Sequence, residues 1–554
     1  MRHPLFEKHR ATLDRALEAI ATRGYWTPYP ESPSPRNYGE GAAAAGKAAF
    51  DALAGQRFPL TQPGTTGQVG AERSPYGIRL GITYPKVDVD GLMAAIETAQ
   101  RSWRKAGPEA WVGVSLEILD RINKASFEIA NAVMHTTGQA FVMAFQAGGP
   151  HAQDRGLEAV AYAWDEMRRV PGQATWEKSQ GKGDPVRMEK QFRIVPRGVA
   201  LVIGCSTFPT WNGYPAIFAS LATGNAVIVK PHPNAILPLA ITVRIAREVL
   251  RDAGFDPNVV TLVAHDAGDD TAQGLALRPE VKIVDFTGST ANGRWLEEHA
   301  RQAQVYTEKA GVNQVIVDST DDLKGLVRNL AFSLALYTGQ MCTAPQNIYV
   351  PKAGIDTDAG HLSFDDFAAA LAEGVKKLVA DDARATEVLG AVVNEGVLRR
   401  IEAARSLGEI ALDTRAITHP EFADATIRTP LIVKLRRGDR ATYLNEWFGP
   451  IAFVVATDDT DDSLAIARDA VAGHGALTLS VYSTSDDVIG RAIDVAEDVG
   501  VALSINLTGA VFVNQSAAFS DFHGTGANPA ANAALTDAAY VANRFRIVQH
   551  RRHV

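Results

Sequence analysis

The chain has 554 residues, 46% of them hydrophobic and 21% charged, the balance of a folded globular protein with about two to four folding units. Its 55 Lys and Arg against 63 Asp and Glu give a net charge of −8, which excludes the basic excess of a dedicated nucleic-acid binder. No apolar run reaches the ~20 residues a membrane helix needs, so no membrane partner is expected. The N-terminal stretch MRHPLFEKHRATLDRALEAI spreads charge throughout and lacks the unbroken apolar centre of a secretory signal, which makes a cytoplasmic protein the expectation.

Apolar residues at helical intervals from Leu5 to Ala21 predict a helix, followed by the Pro-rich link YWTPYPESPSPRNYGEG. GAAAAGKA (41–48) is a near match to a phosphate-binding loop. Ala48, however, stands where that loop needs a Ser or Thr hydroxyl for magnesium, and no strand feeds it, so it reads as the start of an Ala-rich helix. Val87 to Thr137 gives long amphipathic helices. The charged, alternating WEKSQGKGDPVRMEKQFRIVPRG (176–198) suits an exposed hairpin.

From Val199 the texture becomes strand and helix in alternation. VALVIG (199–204), NAVIVK (225–230), VVTLVA (259–264) and VKIVDFTG (281–288) read as strands, and YPAIFASLATG (214–224) and AILPLAITVRIAREVLRDAG (235–254) as helices. That order implies a parallel sheet covered by helices. NQVIVD (313–318) opens a second such series, which runs to about residue 505.

The two cysteines, Cys205 and Cys342, are expected to be reduced, and the 13 histidines show no ligand spacing, so no metal is expected. Cys342 follows a helical pattern of Leu323, Val327, Leu330 and Leu334, with Gly339 letting the chain leave the helix at positive φ. That puts the thiol on a turn, whereas Cys205 at the end of a strand reads as a buried apolar residue. Glu308 starts the approach to a strand, Asn212 lies in the aromatic loop FPTWNGYP (208–215), and FTGSTANG (286–293) is a Gly-Ser-Thr turn into a helix. Each alone is weak: a surface charge, a helix cap, an ordinary turn.

In combination, Trp211-Asn212, the strand-closing Lys230, the FTGST turn, Glu308-x-x-Gly311 and Gly339-Gln340-x-Cys342 resemble the aldehyde dehydrogenase family in order, as does the 34-residue interval from Glu308 to Cys342. NEWFGPI (445–451) resembles its E-x-F-G-P motif. The resemblance covers roughly residues 80 to 550 and implies an α/β fold: a Rossmann-type cofactor domain (1–175 and 199–311), an α/β catalytic domain (312–505) and a protruding β oligomerisation element (176–198 and 506–554). It implies Cys342 as nucleophile, Glu308 as the base that activates water, and the Asn212 amide with the Cys342 backbone N–H as oxyanion donors. Lys230, His232, Phe208, Trp211, Gly288, Ser289, Gly293, Glu446 and Phe448 are the implied contacts of NADP or NAD. A homodimer or homotetramer is implied, with the 176–198 segment and RFRIVQHRR (544–552) at the subunit contacts, since both look like strands without a partner in their own domain.

Three departures stand out: Lys309-Ala310-Gly311 where the family carries Leu-Gly-Gly, Thr210 before Trp211-Asn212, and no recognisable Gly-Phe-Lys-Gln-Ser-Gly stretch in SDFHGTGANPAANAAL. The Tyr-Trp-x-Pro start and the FPTWNGYP loop most resemble the branch that oxidises the semialdehyde of a ring-opened CoA thioester in phenylacetate degradation. That implies an aldehyde substrate linked to CoA, with Lys309 and the basic tail as candidates to meet its phosphates. Pro233 occupies the place where NAD-preferring relatives carry a glutamate, so NADP⁺ is expected over NAD⁺, with Lys230 and His232 facing the phosphate. A CoA-acylating relative would lack Glu308, and a catalytically silent binding protein on this fold would be expected to have lost the thiol or the glutamate. No further domain follows the last dehydrogenase element, so hydratase activity is not expected.

Overall fold

The computed structural model describes residues 3–309 and 311–554. Ala310, part of one departure from the family pattern, lies outside them. The Val- and Ile-rich runs form strands for the reason their composition suggests: Val199–Ile203 and Ala226–Lys230 are buried along their whole length, as parallel strands covered on both faces must be. They belong to a five-stranded parallel sheet ordered Val260–Leu262, Ala226–Lys230, Val199–Ile203, Val281–Thr287, Gln304–Glu308. Chain order reverses at Val199–Ile203. The loops leaving that strand and Val281–Thr287 therefore diverge, and a crevice opens at their carboxyl ends.

A second, seven-stranded sheet runs Glu409–Leu412, Leu431–Arg436, Ile451–Thr457, Asn347–Pro351, Gln314–Val317, Thr478–Tyr482, Ala502–Ile505, parallel throughout except at its first edge. The N-terminal helix read over Leu5 to Ala21 is two helices, Pro4–Lys8 and Arg10–Thr22. The break at His9 turns its imidazole to Glu117, 2.7 Å away. GAAAAGKA lies at the start of the helix Ala42–Asp51, with Gly41 in the left-handed region just before it.

The predicted hairpin is Gln173–Gln180 with Gly183–Pro196, and the C-terminal strand is Phe545–His553. The sequence showed neither a partner; they are partners of one another, in a three-stranded antiparallel sheet with Gly183–Pro196 in the middle. Most of its side chains are exposed on both faces. It is tied to the five-stranded sheet by the buried Arg544, which donates to both carboxylate oxygens of Asp285 at 2.8 and 2.6 Å. Among the described residues, no helix is long and apolar enough to cross a membrane.

Candidate active site

The helix Leu323–Ala335 starts on Asp322, whose carboxylate accepts from the Gly325 N–H at 2.8 Å, a regular N-cap. Its exit is less regular than the sequence implied. Gly339 has φ +61°, but Tyr337 and Thr338, both non-glycine, also lie in the left-handed region at φ 53°. Such residues cost of order ~1–3 kcal/mol each and persist where their surroundings fix them. Here the Tyr337 hydroxyl donates to the Thr137 carbonyl, and Thr338 Oγ1 donates to the Gly390 carbonyl at 2.6 Å while accepting from the Gly390 N–H at 3.1 Å. Gly339 has a second reason to be glycine: a Cβ there would sit 2.5 Å from the Gly449 carbonyl oxygen.

Asn313 completes the turn. Its amide donates to the carbonyls of Cys342 and Ala344, both at 2.9 Å, while its oxygen accepts from Leu477 and Thr478 N–H at 3.0 and 3.1 Å. Cys342 is thus held at a fixed point at the amino end of the strand Asn347–Pro351.

Glu308 ends the strand Gln304–Glu308 and is 4% exposed. Asn212 lies in the first turn of the helix Pro209–Ala222 and donates from Nδ2 to Glu308 Oε2 at 3.0 Å, which leaves its second N–H free for a substrate oxygen. The Cys205 thiol donates to Asn212 Oδ1 at 3.6 Å and is pushed up to about 11 by burial, consistent with an inert buried thiol. Burial and the adjacent Glu308 carboxylate also push the Cys342 thiol well above its ordinary value.

A residue the sequence did not single out completes the cluster. His523, 3% exposed, brings Nε2 to 3.2 Å from Glu308 Oε1 and 3.8 Å from Cys342 Sγ. The Trp211 ring meets it edge-on at 4.6 Å between centroids. The ligand atoms of Glu308, Cys342 and His523 lie within 4.8 Å of one another, and we read the three as one reactive cluster. His523 comes from the C-terminal segment that departs from the family pattern. That departure was the one signal available, and it named no residue. The 506–535 stretch, part of the 506–554 segment expected to serve oligomerisation, contributes Phe512, Asn514 and His523 to the site.

Two cavities meet here. The first, about 680 Å³, opens at the crevice of the five-stranded sheet and is lined by Lys230, His232, Gly288, Ser289, Glu446 and Phe448 as far as Glu308 and Cys342. These are the residues expected at a dinucleotide, in a cavity that runs from the strand-closing lysine to the thiol, so the donor set fits such a cofactor. Burial pushes Lys230 down to about 8. Burial, with Lys230 and His265 beside it, pushes His232 down to about 4, so it is neutral near pH 7. The Glu446 carboxyl is accessible within the recess but enclosed by protein, which raises it to about 7 against the pull of Arg400.

Three expected cofactor contacts are corrected. Phe208, the residue before the helix that begins at Pro209, and Trp211, in that helix's first turn, line the second cavity. Gly293 is buried in the helix Thr290–His299, where a Cβ would strike the Lys309 side chain at 2.4 Å.

The second cavity, about 570 Å³, is walled by aromatic and apolar side chains, among them Tyr25, Trp26, Phe208, Trp211, Phe332 and Phe512. Its acidic lining residues are Glu31, Asp154, Glu387 and Asp521, and the described lining includes no Lys or Arg. The basic entrance expected for CoA phosphates is absent from this wall. Lys309 is buried on the first cavity's side and paired with Glu297 at 2.7 Å, and the basic tail lies in the three-stranded sheet. Cys342 and Asn212 line both cavities.

Residues 82–528 match the model of the aldehyde dehydrogenase family. The crystal structure of an NAD-dependent aldehyde dehydrogenase from Burkholderia multivorans matches over 100% of both chains, with a TM-score of 0.99 and 66% identity. A benzaldehyde dehydrogenase (NAD⁺) of Pseudomonas putida is 25% identical over 77% of this chain and 80% of its own. An N-succinylglutamate 5-semialdehyde dehydrogenase of Burkholderia lata is 26% identical over 74% and 81% respectively. The chain belongs to the aldehyde dehydrogenase family and is an oxidoreductase that converts aldehydes to acids. The Tyr25-to-Glu31 segment of the second cavity precedes the matched span.

Proposed function

We propose that this dehydrogenase oxidises an uncharged aldehyde with an apolar or aromatic body, using NAD⁺ or NADP⁺, through a thiohemiacetal and then a thioester on Cys342. The observation that supports it most is that Cys342 and Asn212 line both cavities, so an aldehyde entering from one side meets the thiol at the end of the other. Sγ adds to the carbonyl carbon, and the oxygen that gains charge accepts from the free Asn212 N–H and the Cys342 backbone N–H. A bound nicotinamide supplies the hydride acceptor. Glu308 then takes a proton from water, which attacks the thioester carbon and releases the acid and the thiolate. The Glu308 carboxylate also favours hydrolysis over transfer of the acyl group to CoA, and together with the thiol it argues against a silent binding protein.

The Tyr25-Trp26-Thr27-Pro28 start and the FPTWNGYP loop are similar to phenylacetic acid degradation protein PaaN, whose relatives act on a CoA-linked semialdehyde. A second cavity without Lys or Arg supports a smaller, uncharged aldehyde instead, since phosphates are recognised by charged donors. For the cofactor, Pro233 removes a carboxylate that would repel a 2′-phosphate. Asp269, exposed on the same cavity wall and acting on Lys230, works the other way. We propose that both cofactors are accepted, with NADP⁺ favoured only while Lys230 is protonated. The unpaired edges Gln173–Gln180 and Phe545–His553 support a homodimer or homotetramer.

The test is a panel of aromatic, aliphatic and CoA-linked aldehydes with each cofactor, followed by absorbance of the reduced nicotinamide. Higher kcat/KM for free aromatic aldehydes supports the reading. Higher kcat/KM for CoA-linked ones refutes the substrate class and restores the PaaN-type substrate.

A further inference from the structure

The geometry around Cys342 poses a question that Glu308 and Asn212 do not answer. The thiol sits against a carboxylate and is enclosed by protein, and both conditions keep the proton on sulfur. A neutral thiol is a weak nucleophile, so a group within reach must take its proton when the aldehyde arrives. Cys205 is buried and faces Asn212, and an amide is no base. Glu308 directs Oε2 to Asn212 and Oε1 toward His523 and also faces the thiol, where its negative charge disfavours a thiolate.

His523 is the second group within reach of the thiol, and it carries no negative charge to oppose a thiolate. Its Nε2 stands between Sγ at 3.8 Å and Glu308 Oε1 at 3.2 Å. Nothing about its placement is loose. Its backbone exchanges hydrogen bonds with Leu535, N to O at 3.2 Å and O from N at 2.9 Å. The preceding turn is tied down by the fully buried Arg155, which donates to the Asp521 carbonyl at 2.9 Å and to Ser516 Oγ at 3.1 Å. The same guanidinium lies 5.2 Å from the Trp211 ring centre, and that ring braces the imidazole from the other side.

We propose that His523 is a catalytic base of this dehydrogenase: its Nε2 takes the Cys342 proton as Sγ adds to the aldehyde carbon, and Glu308 holds the imidazolium that forms. The S–H bond breaks and an N–H bond forms. The sulfur pair makes the S–C bond, and the carbonyl π pair moves to oxygen. The imidazolium proton passes to solvent before Glu308 accepts one from water, so the two bases act in separate half-reactions. The charged and titratable groups facing the imidazole are Glu308 from its strand, Cys342 from its turn, and Cys205 beyond Asn212. Arg155 lies behind Trp211, engaged with Glu158 at 2.8 Å, and Asp521, two residues back, accepts from the Ala517 N–H at 2.8 Å. Among the described residues, Glu308 is the one carboxylate paired with the imidazole. The proposal rests on the aldehyde dehydrogenase reading, yet its test needs no aldehyde.

The experiment is the pH dependence of Cys342 alkylation by iodoacetamide in the full-length protein, with the labelled cysteine identified by peptide mass spectrometry. Wild type, His523→Gln and Glu308→Gln are compared, with thermal unfolding and NAD⁺ binding checked in each. The proposal expects His523→Gln to react at least ~10-fold more slowly at pH 7, with its profile moved to higher pH, because thiolate fraction sets the rate. Glu308→Gln should slow alkylation less than His523→Gln does, since the imidazole remains although the carboxylate that holds its charged form has gone. An unchanged profile in a folded His523→Gln overturns the proposal. Alkylation slowed more by Glu308→Gln than by His523→Gln makes the carboxylate the base and refutes His523; if His523→Gln does not fold, His523→Asn is read in its place. Should wild type prove inert toward every aldehyde while these profiles hold, the substrate reading fails and the thiol–imidazole pair stands.

Discussion

The two cavities that meet at Cys342 are built differently. The first lies at the carboxyl ends of parallel strands, and its contacts come in short runs: Lys230 to Pro233, Gly288 and Ser289, Glu446 to Phe448. The second has no such frame. It gathers Tyr25 and Trp26 from the N-terminal link, Phe208 and Trp211 from the start of a helix, and Phe512 and His523 from the C-terminal stretch. A sheet edge positions a cofactor in a repeatable way, because strand ends and helix starts fix the crevice. A wall drawn from distant loops is where substrate preference is free to vary. Substitutions in the shared floor and at His523 should therefore remove chemistry, and those of the aromatic residues in the second wall should change which aldehyde is used.

The largest effect belongs to the thiol. Cys342→Ala should lower kcat for aldehyde oxidation by more than ~10³-fold, whereas Cys205→Ala should leave it within ~3-fold, a contrast read by steady-state assay. Asn212→Ala removes an oxyanion donor and frees Glu308 Oε2, so kcat should fall by ~10²–10³-fold with KM little changed. Asn313→Ala releases the Cys342 turn while touching no substrate. A loss of ~10–100-fold in kcat with unchanged NAD⁺ affinity would sharpen the distinction between floor and walls, since small misplacements of a reacting group are costly. Trp211→Ala should act on the second wall, raising KM for aromatic aldehydes ~5–20-fold while short aliphatic ones change less.

The smallest effect is electrostatic and belongs to the first cavity. Lys230, pushed down to about 8, is charged below that pH and neutral above it. The kcat/KM ratio of NADP⁺ to NAD⁺ should fall several-fold as pH rises from ~7 to ~9, because the attraction for a 2′-phosphate disappears with the charge. His232, pushed down to about 4, should add no step near pH 6.5.

What could be read in advance follows the same division. The strand runs, the helix starting in GAAAAGKA, the hairpin read over 176–198 and the turn that carries Cys342 each depend on residues close in sequence, whose period and punctuation are visible. The pairing of Phe545–His553 with Gly183–Pro196, the Asn313 clamp and the Arg155 tie depend on contacts between distant segments, which leave no local pattern. Phe208 and Trp211 show the boundary. The resemblance implies both as cofactor contacts, yet Phe208 stands just before the helix that starts at Pro209 and Trp211 in its first turn, and both line the second cavity, while Asn212 reaches both cavities. His523 stood in a segment whose composition announced only that something had changed.

The central claim is that Cys342 carries the substrate covalently and that Glu308 releases it. Rapid mixing of Glu308→Gln with saturating aldehyde and cofactor, followed by acid quench and peptide mass spectrometry, tests both halves at once. The structure predicts one equivalent of reduced nicotinamide per active site, then a stall, with the acyl group on the Cys342 peptide. Undiminished steady-state turnover, or an acyl group on Cys205, would contradict it.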